Sequence, residues 1–110
     1  MAHKIREVYI VHHSHTDVGY TDLQEQVIYN QVNNIRRAVE LIVDGLEKGT
    51  NQKGLKWNCE TWYCVEQFLK VATKEEKKAF FDLVKKNSIG LSANYLNFSD
   101  LADCEYLTEK

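Results

Sequence analysis

Three histidines and an aspartate fall within six residues of the run Val11-His12-His13-Ser14-His15-Thr16-Asp17-Val18-Gly19-Tyr20. Imidazole nitrogen and carboxylate oxygen are the donors that zinc and similar divalent ions take, and the same groups do acid–base work. In an extended chain alternate side chains share a face. His13 and His15 then point together, and Asp17 joins them if the extended path persists. His12, Ser14 and Thr16 point the other way. Gly19 permits close backbone approach, and Tyr20 offers a flat ring to a substrate. A plainer reading stands beside this one: a lone histidine on a strand is commonly a hydrogen-bonded structural residue, and a loop aspartate a turn former or cap.

These residues need a scaffold, and the pattern around them supplies one. Residues 7–15 (EVYIVHHSH) are rich in β-branched and aromatic types and read as a first strand. Residues 16–21 form a loop. Asp22-Leu23-Gln24-Glu25 has the layout of a capping box, with Asp22 as N-cap and Glu25 reaching back. Ile28, Val32, Ile35, Val39, Ile42 and Leu46 then step by four and three along one helix face, with Gly49 and Gly54 bracketing its end. Residues 55–60 suit a second strand. Residues 62–72 suit a helix with Val65, Phe68, Leu69 and Ala72 inward. Thr73-Lys74-Glu75-Glu76 is a second capping box, opening a helix to about Asn87 with Phe80, Phe81 and Val84 on one side. Residues 89–97 read as a third strand, and residues 103–110 as a helix under way.

The order is β-α-β-α-α-β. Long crossovers make the strands parallel with right-handed connections, so the fold class is α/β, a partial parallel β/α sheet or barrel. In that architecture the carboxyl ends of the strands carry the chemistry, which is where the histidines fall. Glu60 and Asp100 also follow strands, and helix capping is the favoured role for each. Trp57, Trp62 and Tyr95 are assigned to packing rather than to a ligand cleft. Spacing alone fits a metal-dependent amidohydrolase, deacetylase or phosphoesterase barrel, in which His13 and His15 both ligate the ion. It also leaves open a non-catalytic module that binds a partner or dimerises through an exposed sheet edge.

Bulk composition narrows the classes. The 110 residues allow one domain, with 44% hydrophobic and 27% charged residues and a formal net charge of -2. Acids and bases are interspersed, so no basic stripe points to nucleic acid. No apolar run approaches the roughly 18 residues of a membrane span. No signal peptide is visible, which favours a cytoplasmic location and leaves the compartment open. Cys59, Cys64 and Cys104 are an odd set with no metal-knuckle spacing, and are read as space-filling thiols. The sequence contains no proline.

The run His13-Ser14-His15-Thr16-Asp17-Val18-Gly19-Tyr20 resembles the N-terminal signature of the family 38 glycoside hydrolases, zinc-dependent α-mannosidases whose pattern is His-Ser-His-Asn-Asp-Pro-Gly-Trp. Residues 55–69 (LKWNCETWYCVEQFL) are similar to the family's second strand with its acidic residue and following aromatic helix. Residues 80–100 look more loosely like its next helix, strand and acidic loop. The resemblance implies that His15 and Asp17 are zinc ligands and that Tyr20 stacks on the bound sugar of a mannoside. It implies that His13 supports or packs rather than ligates. It further implies the start of a seven-stranded glycoside hydrolase/deacetylase-type barrel and retaining hydrolysis through two carboxylates. Thr16, Val18 and Tyr20 depart from the family's Asn, Pro and Trp. The family's nucleophile, in an Asp-Pro-Phe-Gly-His-like run, has no match, and its general acid and other zinc ligands are missing too. Residues 1–110 are therefore expected to be an N-terminal fragment of the catalytic domain, inactive alone.

Overall fold

A computed structural model describes residues 4–19, 21–49 and 54–96. The elements are α1 (Gln24–Lys48), β1 (Trp57–Cys59), α2 (Trp62–Val71), α3 (Lys74–Lys85) and β2 (Ile89–Leu91). β1 and β2 pair in parallel, with Trp57 opposite Ile89, Asn58 opposite Gly90 and Cys59 opposite Leu91. The chain at His13 lies on the other side of β1 through one parallel bridge to Asn58, whose N–H donates to the His12 carbonyl at 2.9 Å. The protein is thus mixed helix and strand, with three helices and a small parallel sheet among the described residues.

The expected first strand over residues 7–15 shrinks to that single bridge. Ile5, Val8, Tyr9, Ile10 and Val11 are 61–84% exposed. β-propensity expresses packing against neighbouring strands, and among the described residues none forms a strand beside residues 4–11. The expected third strand is shortened for a different reason. Beyond Leu91 the chain turns its carbonyls to α2: Trp62 N–H donates to Asn94 O at 2.8 Å and Tyr63 N–H to Tyr95 O at 2.9 Å. The first N–H groups of a helix lack partners within the helix, and Thr61 makes no side-chain cap here, so these carbonyls take its place. Asn97, Asp100, Cys104 and the helix expected over residues 103–110 lie outside the described residues.

The helices follow the sequence pattern with local exceptions. Val32, Ile35, Val39 and Ile42 of the α1 stripe are buried, Ile28 is half-buried, and Leu46 is 39% exposed. The Asp22–Glu25 box does not form. Asp22 Oδ1 instead accepts from Leu23 N–H at 2.8 Å, and α1 starts from Leu23 as N-cap. Gly49 closes α1 in the left-handed region at φ 61°, which a glycine adopts without a Cβ clash. The Thr73–Glu76 box does form, side chain to backbone in both directions at 3.2 and 2.9 Å. In α3 the inward pair is Phe80 and Leu83, while Phe81 is 42% exposed and Val84 half-buried.

The core lies between the helices and one face of the sheet. Ile35, Val39, Ile42, Val65, Phe68, Phe80 and Leu83 pack with Cys59 and Ile89. The Phe68 and Phe80 rings sit 5.3 Å apart, tilted by 50°. Asn58 and Gly90 alternate onto the opposite face. There a Cβ on Gly90 would collide with the Asn58 amide oxygen. Among the described residues no helix is long and apolar enough to cross a membrane.

Candidate metal centre

The alternation expected of the histidine run holds, even though the strand does not. Ser14 and Thr16 turn toward the helices. Ser14 Oγ accepts from Asn34 Nδ2 at 3.1 Å and from Gln31 Nε2 at 3.3 Å, and Gln31 Nε2 also donates to the His15 carbonyl at 2.9 Å. Thr16 is buried, its hydroxyl 3.3 Å from Cys64 Sγ, which also accepts from Thr61 Oγ1 at 3.2 Å. Two threonine hydroxyls and a thiol thereby satisfy one another inside the core. His13 and His15 face the other way, toward Glu60. A turn through Val18 and Gly19 follows, with Gly19 at φ +88°.

His15 stands between two carboxylates. Its Nε2 is 3.0 Å from Asp17 Oδ1, and its Nδ1 is 2.8 Å from Glu60 Oε1. His13 Nδ1 is 3.8 Å from the same Glu60 oxygen, so His13 reaches Glu60 and not Asp17. Glu60 Oε2 accepts the Thr16 backbone N–H at 2.7 Å. The expected capping role of Glu60 is replaced by these contacts, and α2 takes Thr61 as its N-cap. The signal for Glu60 was its place as an acid at the carboxyl end of a strand. Tyr20 lies outside the described residues.

The hydrogen bond to Glu60 raises the His15 pKa above its usual 6.5, and the charges of Glu60 and then Asp17 add to the effect. Burial pushes the Cys59 thiol up to about 12, with a smaller contribution from Cys64, so Cys59 stays a neutral thiol inside the core. Cys59 and Cys64 are both free and buried, as expected of space-filling thiols.

The donors fit one ion in part. Zinc sits about 2.0–2.2 Å from histidine nitrogen and carboxylate oxygen, so two such donors at a tetrahedral angle lie roughly 3.3 to 3.6 Å apart. His15 Nε2 and Asp17 Oδ1, now at the 3.0 Å of a hydrogen bond, would have to part by a few tenths of an ångström to share one ion. They make half of a tetrahedral set. Among the described residues no group of three or more His, Cys, Asp or Glu is arranged to hold a metal ion. A polar cleft of about 210 Å³ opens beside the pair, walled by Asp22, Asn30 and Gln31. Trp57, Trp62 and Tyr95 are not among its lining residues. Tyr95 donates its hydroxyl to Glu66 at 2.6 Å and packs edge-on against Tyr63. A larger groove, about 610 Å³, runs between α1 and α3 and includes none of the histidines. Comparison with family models, with curated proteins and with solved structures gives no match.

Proposed function

We propose that this chain forms one side of the zinc site of an α-mannosidase-like retaining glycosidase, with His15 and Asp17 as two of the zinc ligands and Tyr20 as the sugar platform. The observation that carries the proposal is the 3.0 Å approach of His15 Nε2 to Asp17 Oδ1. It falls in the run that resembles the family 38 signature. The neighbouring cleft is polar and walled by Asp22, Asn30 and Gln31, which suits a hydroxyl-rich ligand. An ion held there would supply a fixed positive charge that orients sugar hydroxyls. His15 and Asp17 hold; they do not attack. A retaining mechanism needs two carboxyl groups about 5–5.5 Å apart, one attacking the anomeric carbon and one protonating the leaving oxygen. No acid in this sequence carries the family's nucleophile motif, so both roles, and the remaining ligands, are assigned to residues outside these 110.

The test is zinc content and hydrolysis of an aryl α-mannoside, for the 110 residues and for the complete gene product. The complete product is expected to turn over with zinc bound, and Asp17→Ala to lose both. Turnover by the 110 residues alone would overturn the division of roles. Full activity without metal would overturn the zinc assignment. His13→Gln is expected to leave bound zinc nearly unchanged. A loss as large as that of His15→Ala would instead favour the amidohydrolase-like arrangement, in which both histidines ligate.

A further inference from the structure

Glu60 is the most sheltered of the ionisable side chains His13, His15, Asp17 and Glu60. Its side chain is 18% exposed, against 61% for His15 and 42% for Asp17. Its Oε1 faces His15 Nδ1 at 2.8 Å and lies 3.8 Å from His13 Nδ1, and Oε2 takes the Thr16 backbone N–H at 2.7 Å. A backbone amide only donates, so the Thr16 contact fixes the carboxylate from the main chain. Thr16 is itself anchored, buried with its hydroxyl on Cys64 Sγ. The Glu60 carboxylate is thereby tied to the core through Oε2 while Oε1 faces the imidazole.

An ionised carboxylate only accepts, so the ring nitrogen facing it carries the proton. Two carboxylates compete for that proton on a neutral His15. The Glu60 contact is the shorter, 2.8 against 3.0 Å, and the better shielded from water. Charge-assisted hydrogen bonds strengthen with both. With the proton on Nδ1, the Nε2 lone pair points toward Asp17. A ligating histidine is commonly held in this way, by an acceptor on the ring nitrogen opposite the metal.

We infer that Glu60 is a positioning residue: it holds the neutral His15 ring with its proton on Nδ1 and presents Nε2 as a donor beside Asp17. The consequence for zinc rests on the function proposed above; the state of the ring does not.

The experiment reads the His15 tautomer by long-range nitrogen–proton NMR in the metal-free chain, at a pH where the ring is neutral. A zinc titration with the metal ion alone runs in parallel. Wild type is expected to show the Nδ1–H form. Glu60→Ala is expected to move His15 toward Nε2–H and to weaken zinc binding by about 10–100-fold. Glu60→Gln keeps an oxygen that can accept from Nδ1–H, and is expected to restore the wild-type tautomer in part. An Nε2–H ring in wild type would overturn the inference with no variant needed. So would an unchanged tautomer in a folded Glu60→Ala chain. If Glu60→Ala does not fold, wild type and Glu60→Gln decide. If the tautomer follows Glu60 while the complete gene product takes up no zinc, the positioning role stands and the zinc reading falls.

Discussion

At the scale of single residues, the site is a chain of three side chains, Asp17, His15 and Glu60, joined at 3.0 and 2.8 Å. Their residue types, the alternation of the histidine run and the place of Glu60 after a strand were visible in the sequence, because alternation and the carboxyl-end rule act on local pattern alone. The link from Glu60 to His15 was not visible, since it joins residues 45 apart through the Thr16 amide and the packing of Thr16 on Cys64. Carboxylates on both sides favour the imidazolium, so His15 is expected to titrate above 6.5 by NMR, and Glu60→Gln to bring it down toward that value. The sign for stability follows: this favourable contribution is complete below 6.5 and is lost as pH rises through the higher folded value. Zinc competes with the same proton on Nε2. Its binding is therefore expected to strengthen as pH rises through the folded value, in a titration followed by calorimetry.

At the scale of elements, the two capping boxes show what local sequence can and cannot decide. Both have the right residues at the right spacing, yet only Thr73–Glu76 closes. Its Glu76 is also held from outside, by Arg36 Nε of α1 at 2.8 Å. Asp22 spends its oxygen on the Leu23 amide instead. Removing the working cap by Thr73→Ala is expected to cost about 1 kcal/mol in chemical denaturation. The Thr73 amide and then Arg36 hold the Glu76 carboxyl below its usual 4.5. That stabilisation is complete above 4.5 and is lost as pH falls through the lower folded value. Glu76→Gln is expected to lower stability at neutral pH and to flatten the acid limb of the stability curve. In the sheet, Gly90→Ala places a methyl against the Asn58 amide oxygen. It is expected to displace Asn58, and the paired Gly90→Ala/Asn58→Ala variant to recover part of the lost melting temperature.

At the scale of the whole molecule, the described helices cover one face of the sheet, and residues 4–11 carry apolar side chains with little to cover them. The sequence marked those residues as a strand because Val8, Tyr9, Ile10 and Val11 have the composition of one. What it could not state is whether a neighbouring strand is present to complete it, which is a property of the assembled sheet. Apolar side chains that the described residues leave uncovered invite association. The 110 residues alone are expected to sediment as concentration-dependent oligomers, and Val8→Lys with Ile10→Lys to shift them toward monomer. Unchanged oligomerisation in that double variant would place the contact elsewhere.

The carbonyls of Asn94 and Tyr95 that receive the Trp62 and Tyr63 amides also bear on the order of folding. The start of α2 takes its capping partners from chain that follows β2, so these two N–H groups gain their protein acceptors only once β2 is in place. Native-state hydrogen exchange should then show the Trp62 and Tyr63 amides opening together with those of β2, and not with the middle of their own helix. Because Glu60 sits just ahead of α2, the same cooperative unit would govern how long the His15 ring stays in register.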